Sequence, residues 1–225
     1  MDILHDPEFG NRLVTLMAAF VLVLQIAMVG QRSLVMNIRL FGAQSFLLGS
    51  IAAAIAWYNG APHIYFAAVL TILLKAICVP IALERLVDRI GIRHEIEPIV
   101  NVPVSIVISG ALTLLAYTTG ESFYRPGAGA SLGHNTLSVA IAVFLIGFFM
   151  MLNRRKALTQ VLGLLTLENG VFLAAICLTY GMPLIVELGI FFDVLVAVMV
   201  LGILVYQIRE TFESMDVSKL RRLRG

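Results

Sequence analysis

The sequence predicts an all-α integral membrane protein: a polytopic helical bundle of about seven transmembrane helices, with its N-terminus outside and its C-terminus in the cytoplasm. Three observations support this prediction. Hydrophobic residues make up 60% of the 225 residues and charged residues 13%, and the mean hydropathy of +0.94 is far above that of a soluble domain. Apolar stretches long enough to span a bilayer recur along the whole chain. Basic residues, finally, are distributed unevenly between the segments that join these stretches.

A helix needs roughly 20 mostly apolar residues to cross the hydrocarbon core of a bilayer. The apolar stretches cover residues 12–30, 38–58, 63–86, 99–119, 134–152, 157–179 and 183–206. Tight hairpins are predicted after the second and the sixth, because "NGAP" and "GMP" supply the glycine and proline that end helices. After the third, "LVDRIGIRHEIEPIV" predicts a helix end that runs into a surface loop. After the fourth, the glycine-rich residues 120–133 predict an irregular outer loop.

Thirteen of the sixteen lysines and arginines fall on one side of the predicted bundle. Arg12 and Arg125 fall on the other side, and Lys75 lies inside the third stretch. Because Lys and Arg accumulate on cytoplasmic loops, the basic side is predicted to be cytoplasmic. The acidic N-terminus lacks the basic segment of a signal peptide, so the first span is expected to be retained. The bases are interpreted as topology signals, and no nucleic-acid partner is expected.

Three parts are predicted along the chain: an N-terminal three-helix unit at 1–98, a linking helix with an outer loop at 99–133, and a C-terminal three-helix unit with a basic tail at 134–225. Spans 1–3 and 5–7 show a weak similarity, in which Arg32 aligns with Arg154 and Tyr58 with Tyr180. Since an odd span separates the two units, such a repeat would be parallel.

Four ionisable residues lie within the apolar stretches: Lys75, Glu168, Glu187 and Asp193. A charge at the bilayer centre costs about 2.5–3.5 kcal/mol on insertion scales, so such residues normally face the bundle interior and mark ion or proton pathways. A carboxyl group in these surroundings can exchange a proton near neutral pH. One base cannot neutralise three acids, which favours a proton path. The alternative is a set of buried ion pairs that only fixes helix register.

Other polar residues within the spans have simpler interpretations. Gln25, Gln44 and Ser45 are predicted to form hydrogen bonds between helices. Next to Glu168, Asn169 is a nearby polar group and Gly170 permits close helix approach. The two cysteines, Cys78 and Cys177, are expected to be small buried residues.

The sequence contains no phosphate-binding glycine loop, no nucleophile elbow and no metal-ligand cluster. No catalytic residue, cofactor site or metal site is therefore predicted in this chain. Two cysteines are also too few for an iron–sulfur cluster, which takes about four ligands. The chain is expected to serve a larger assembly.

Several segments carry a family resemblance. "FGAQSFLLG", "LLKAICVP", "NRRKALTQVLGLLTLENG" and the C-terminal "ELGIFFDVLVAVMVLGILVYQIRETFESMDVSKL" resemble the membrane component E of hydrogenase-4 and of related group 4 membrane-bound hydrogenases. The C-terminal part is also similar to the three-helix K subunit of respiratory complex I and to the C subunit of multisubunit cation/proton antiporters. The K subunit carries one glutamate on each of its last two helices within a proton relay. Glu168 matches the first, and Asp193 stands approximately where the second would be.

The resemblance implies a place in a redox-linked complex of a bacterial or archaeal cytoplasmic membrane. Peripheral subunits of such complexes carry the nickel–iron centre and the iron–sulfur clusters, and antiporter-like membrane subunits couple that chemistry to proton or sodium movement. Asp193 departs from the family pattern because an extra acid, Glu187, precedes it, so which of the two continues the relay stays open. Lys75 has no counterpart in the K subunit. The basic tail, "SKLRRLRG", is expected to contact a cytoplasmic partner or anionic lipid.

The sequence thus predicts a non-catalytic subunit of an oxidoreductase complex that relays protons through Glu168, Asp193, Glu187 and Lys75. Three alternatives remain: a subunit of a cation/proton antiporter, an autonomous secondary transporter built on the parallel repeat, and a seven-helix sensor in which Lys75 holds retinal as a Schiff base. The sequence does not specify which ion is transported or in which direction. It also leaves open the electron donor and acceptor and whether the complex retains hydrogenase activity.

Overall fold

The computed structural model describes residues 7–60, 62–90, 98–122 and 134–179, and within these ranges it is helical, with one isolated antiparallel bridge between Pro98 and Arg154. The elements are α1 (Pro7–Gly30), α2 (Leu34–Asn59), α3 (Pro62–Thr71), a π-helical segment (Ile72–Cys78), α4 (Val79–Ile90), α5 (Val102–Ser122), α6 (His134–Leu152) and α7 (Ala157–Thr179). The α3 helix, the π-helical segment and α4 follow one another without a break.

Six of the predicted apolar stretches are helices in the structure. Five are long and apolar enough to cross a bilayer, and they cover Glu8–Gly30, Leu34–Tyr58, Ile64–Asp88, Val102–Glu121 and Leu158–Leu178, while a shorter apolar helix covers Thr136–Leu152. The predicted seventh span, residues 183–206 with Glu187 and Asp193, lies outside the described residues, as does the basic tail. Residues 91–97 and 123–133, which fall within the predicted inner loop and the predicted outer loop at 120–133, lie outside them as well. The count of seven spans and the orientation of the termini stay predictions.

The hairpin predicted after the second span is formed by a glycine cap. Gly60 follows α2 with a φ of 62°, in the left-handed region, and its N–H donates to the carbonyl of Ala56. Glycine is preferred there because it has no Cβ to clash. At the other end of α2, the Ser33 hydroxyl accepts a hydrogen bond of 3.5 Å from the N–H of Met36. These caps explain why the helix begins and ends where it does.

Two apolar clusters fill the interior of the bundle. The upper cluster contains Val14, Ile51, Ile64, Val143 and Leu173 among its members. The lower cluster contains Met28, Phe41, Leu86, Ile146 and Leu162 among its members. On each of α1, α2 and α7, a short gap in the sequence separates the residues of the upper cluster from those of the lower cluster. Those gaps hold polar residues, so a polar layer lies between the two apolar clusters.

The tightest helix pair is α6 with α7. A Cβ on Gly170 would lie 2.5 Å from the backbone nitrogen of Phe144, and one on Gly147 would lie 2.5 Å from that of Leu167. Only glycine allows the two backbones to come this close, which confirms the prediction for Gly170. The expectation that both cysteines are buried was wrong, since Cys78 is exposed on the outer face of the bundle and Cys177 is half-buried. In a lipid-facing helix an apolar side chain gains nothing by turning inward.

Candidate functional site

An ion pair between Lys75 and Glu168 lies in the polar layer. Lys75 comes from the π-helical segment and Glu168 from the middle of α7, and Lys75 Nζ lies 3.3 Å from Glu168 Oε1. The two side chains are only 3% and 7% exposed. Of the four ionisable residues predicted for the relay, the structure brings these two together; Glu187 and Asp193 are not among the described residues.

The aromatic ring of Phe172 adds a second contact to the lysine. Lys75 Nζ lies 5.6 Å from the centroid of this ring, within the range of a cation–π interaction. Phe172 follows Glu168 by four residues, so the carboxylate and the ring share one face of α7. The ammonium group therefore meets a negative charge and the electron-rich face of a ring on the same helix.

Burial gives this pair its chemical character. Taking two charges out of water is costly, and their mutual attraction offsets the cost only while both partners are in place. A proton shift from the ammonium to the carboxylate would instead leave two neutral groups, an amine and a carboxylic acid.

Asn169, the neighbour of Glu168, points toward a different helix. Its side-chain amide donates to Gln44 Oε1 at 3.1 Å and to Ser45 Oγ at 3.2 Å, both on α2. The amide of Gln44 in turn donates to Gln25 Oε1 on α1 at 2.7 Å, and the amide of Gln25 donates to the sulfur of Met150 on α6 at 3.3 Å. The prediction that Gln25, Gln44 and Ser45 hydrogen-bond between helices is confirmed.

These amides form a chain across α7, α2, α1 and α6, and their side chains are fully buried. Within the described part of the molecule, Asn169 Oδ1 has no hydrogen-bond partner. An acceptor in this position is available to a donor such as water, one residue from the carboxylate. Thr166 contributes differently from what its position near Glu168 suggests, because its hydroxyl donates to the Gly163 carbonyl at 2.8 Å.

A second polar cluster joins the helices at the end of the bundle where α6 meets α7. Arg154 is 3% exposed, and its guanidinium donates to the carbonyls of Met28 and Val29 at the C-terminal end of α1, at 3.4 and 3.5 Å. Burial lowers the pKa of Arg154 to about 10, so the group remains charged near neutral pH. A cation here also interacts favourably with the α1 dipole. Arg154 was interpreted from sequence as a topology signal, and its packing role was missed.

Asn153 completes this junction. Its side-chain oxygen accepts from the N–H of Val100 at 2.7 Å, and its side-chain amide donates to Ser105 Oγ on α5 at 3.0 Å. These bonds fix the approach to α5 against the α6–α7 turn. The junction thereby fixes the end of the bundle at which α7, the helix that carries Glu168, begins.

Sequence reasoning missed two features of the site: the pairing of Lys75 with Glu168 in preference to another acid, and the π-helical geometry around Lys75. One sequence signal for the second was present, since Pro80 follows Lys75 within two turns in "LLKAICVP" and cannot donate to the helix ladder. Among the described residues there is no group of three or more His, Cys, Asp or Glu side chains able to hold a metal ion.

Sequence comparison identifies relatives of the chain. Residues 135–225 match the family of NADH-ubiquinone/plastoquinone oxidoreductase chain 4L. The chain is 33% identical over 213 residues to the uncharacterized protein Rv0085 of Mycobacterium tuberculosis, covering 94% of this chain and 96% of that protein. It is 24% identical over 216 residues to hydrogenase-4 component E of Escherichia coli K12, and equally to that of Shigella flexneri, covering 96% of this chain and 99% of each relative. No solved structure matches the chain.

Proposed function

Because the chain belongs to the same family as hydrogenase-4 component E, we propose that it is a non-catalytic membrane subunit of a redox-linked, ion-translocating complex of the group 4 nickel–iron hydrogenase type. Within that complex it relays protons through carboxyl groups inside the bilayer. The observation that carries the proposal is the buried Lys75–Glu168 pair, with Nζ and Oε1 3.3 Å apart. An ionisable pair at mid-membrane is a recurring element of proton pathways.

The proposed transfer keeps its proton balance at each step. A proton moves from the Lys75 ammonium to the Glu168 carboxylate, so that both groups become neutral. Glu168 then releases this proton to the next carrier, and Lys75 takes up another from the opposite side. The buried amides of Gln44 and Asn169 hold the neighbouring helices in register and are not carriers themselves, since an amide side chain does not titrate.

The next carrier is proposed to be Asp193 or Glu187 in the span predicted at 183–206. Partner subunits supply the other functions of the complex. Antiporter-like membrane subunits extend the proton path, and peripheral subunits hold the nickel–iron centre and the iron–sulfur clusters. The complex lies in the cytoplasmic membrane of its bacterial or archaeal host. Support for this assignment comes from the hydrogenase-4 and oxidoreductase relatives and from the apolar helices.

The first experiment identifies the partners. The tagged full-length chain is expressed in its host, the membranes are solubilised gently, and co-purifying polypeptides are identified by mass spectrometry. Recovery of antiporter-like subunits together with a hydrogenase-type pair supports the proposal. Recovery of the chain alone as a homo-oligomer contradicts it and favours an autonomous transporter.

The second experiment tests the relay in the purified complex, reconstituted into vesicles and supplied with hydrogen or the electron donor that its partner subunits accept. Glu168→Gln is expected to abolish coupled proton transport while the same polypeptides still co-purify. The matched control is Glu84→Gln, which makes the same chemical change at an ion pair with Arg39 whose side chains are 34% and 67% exposed. Normal proton transport in Glu168→Gln would refute the relay.

A further inference from the structure

The helix that carries Lys75 buries two sets of residues whose spacing along the sequence is one residue too long for a single face of a regular α-helix. Above the π-helical segment, Ile64, Ala67 and Ala68 belong to the upper apolar cluster. Below it, Leu83, Leu86 and Val87 belong to the lower apolar cluster. The two sets repeat the same spacing, and each member of the second lies 19 positions after its counterpart in the first.

In an α-helix about 18 residues complete five turns, so residues 19 apart differ by about 100° around the axis. An uninterrupted α-helix from α3 to α4 would therefore point one of the two sets away from the bundle interior. A π-helical turn takes up one extra residue. The segment Ile72–Cys78 thereby keeps both buried faces in phase.

Backbone hydrogen bonds show how the segment is held. The N–H of Val79 bonds to the carbonyl of Leu74, five residues earlier. Pro80 has no N–H, so it cannot form the α-helical bond to the carbonyl of Ala76. The α2 helix packs against both ends of the segment: a Cβ on Gly42 would lie 3.1 Å from Pro80 Cγ, and one on Gly49 would overlap the Ile72 side chain.

Lys75 lies at the middle of the segment, so its direction depends directly on the π-helical geometry. The hydrogen bonds of the segment span five residues where those of an α-helix span four, so each turn is wider and each residue advances by a smaller angle around the axis. A regular α-helix would therefore turn the Lys75 side chain away from the direction in which it now meets Glu168, with Nζ 3.3 Å from Oε1. We propose that the π-helical segment is a positioning element: its extra residue presents Lys75 to Glu168, while α3 and α4 keep their packing. This inference rests on the proposed relay for its functional part only.

The test removes the extra residue. Deletion of Ile77, a lipid-facing residue that is 45% exposed, combined with Pro80→Ala, gives an uninterrupted α-helix whose two buried faces are 18 positions apart and in phase. The chain should still assemble with its partners. The control is deletion of Val107 from α5, a 72% exposed residue in an ordinary α-helix, where the same loss rotates one half of the span by about 100° and should prevent assembly.

Coupled proton transport by the complex is the second readout. In the Ile77 deletion it is expected to fall roughly 10- to 100-fold, the size of effect that a displacement of about 1 Å produces at a reacting group. Its pH profile should move in the same sense as that of Lys75→Met, because both variants deprive Glu168 of its ammonium partner. The other titratable groups on the described elements that pack around the pair, among residues whose side chains the structure describes, are Arg39 and Tyr58 on α2, Tyr65 on α3, Cys78 on the π-helical segment, Glu84, Arg85 and Asp88 on α4, and Cys177 on α7.

Three results would overturn the inference: loss of assembly to the same extent as in the Val107 deletion, unchanged transport, or transport lowered equally at every pH without a shift of the profile. The proposed function fails separately, if Glu168→Gln transports protons normally. In that case the tolerance of the Ile77 deletion would still report on the helical register, so the two failures are distinguishable.

Discussion

Replacing Lys75 by methionine, Glu168 by glutamine, and both together measures how strongly the two buried groups stabilise each other. Their nearest charged atoms lie 3.3 Å apart. At an effective dielectric constant of about 20, two unit charges at this separation attract each other by about 5 kcal/mol. This figure is an upper value for the loss in a single variant, since the remaining group can neutralise itself by gaining or losing a proton.

We therefore expect each single substitution to lower the free energy of unfolding by about 3 kcal/mol, at the lower end of the cost of breaking a buried pair. The double substitution should cost about the same as either single one. Glutamine and methionine keep most of the side-chain volume and leave no charge behind, so once one partner is gone the second change removes little more. The coupling free energy between the two positions should accordingly be about 3 kcal/mol.

The assay is reversible unfolding of the purified full-length chain in detergent, followed by circular dichroism. The matched control is the same set of substitutions at the second ion pair, Arg39→Met and Glu84→Gln, whose atoms are 2.9 Å apart but whose side chains are 67% and 34% exposed. Its coupling should stay below about 1 kcal/mol. If the effects at Lys75 and Glu168 instead add within about 0.5 kcal/mol, the two groups do not interact and the argument from their geometry is wrong.

Three further predictions concern the helix packing and the hydrogen bonds around the Lys75–Glu168 pair. Gly170→Ala should lower the melting temperature markedly, because the new Cβ would lie 2.5 Å from the backbone nitrogen of Phe144. Gly110→Ala is the control and should leave the melting temperature unchanged, because a Cβ there meets nothing within 4 Å. Equal melting temperatures of the two variants would disprove the close packing of α6 and α7. Gln44→Leu should cost about 1–2 kcal/mol in the same unfolding assay, since it leaves the amides of Gln25 and Asn169 without this partner, and a loss no larger than that of Ser50→Ala would contradict this. Arg154→Gln should destabilise the chain equally at about pH 6 and about pH 8. Burial lowers the pKa of Arg154 from the ordinary 12.5 to about 10, so the free-energy cost of burying the charge changes only above about pH 10. A loss of stability that differs between the two pH values would show that another titrating group is involved.

The sequence predicted the parts of this structure that depend on hydropathy. The stretches at 134–152 and 157–179 coincide with α6 and α7, since twenty apolar residues in a row have one stable conformation in a bilayer. Glu168 was identified because a charge there is costly and conspicuous. Its partner could not be identified, because pairing depends on the rotation of each helix, and lipid-facing and buried positions are equally apolar. The same lack of contrast explains the wrong expectation for Cys78.

The π-helical segment was not predicted for a different reason. A π-turn leaves the hydropathy of a span unchanged and alters only the phase between positions far apart, here Ile64 and Leu83. The phase can be read only after the buried residues on both sides are known. Arg154 shows the limit of the charge rule in the same way, because counting bases assigns a side to each residue but not a packing role.

The amide chain through Gln25, Gln44 and Asn169 has a consequence for biogenesis. Helices insert into the bilayer first and associate afterwards, so each of these amides meets lipid as an isolated polar group until its neighbours arrive. Gln25 and Gln44 find each other when the first two helices pair, but Asn169 is synthesised more than a hundred residues later. A nascent bundle that still lacks α7 would therefore carry an incompletely hydrogen-bonded polar surface inside the membrane, which only the arrival of Asn169 completes.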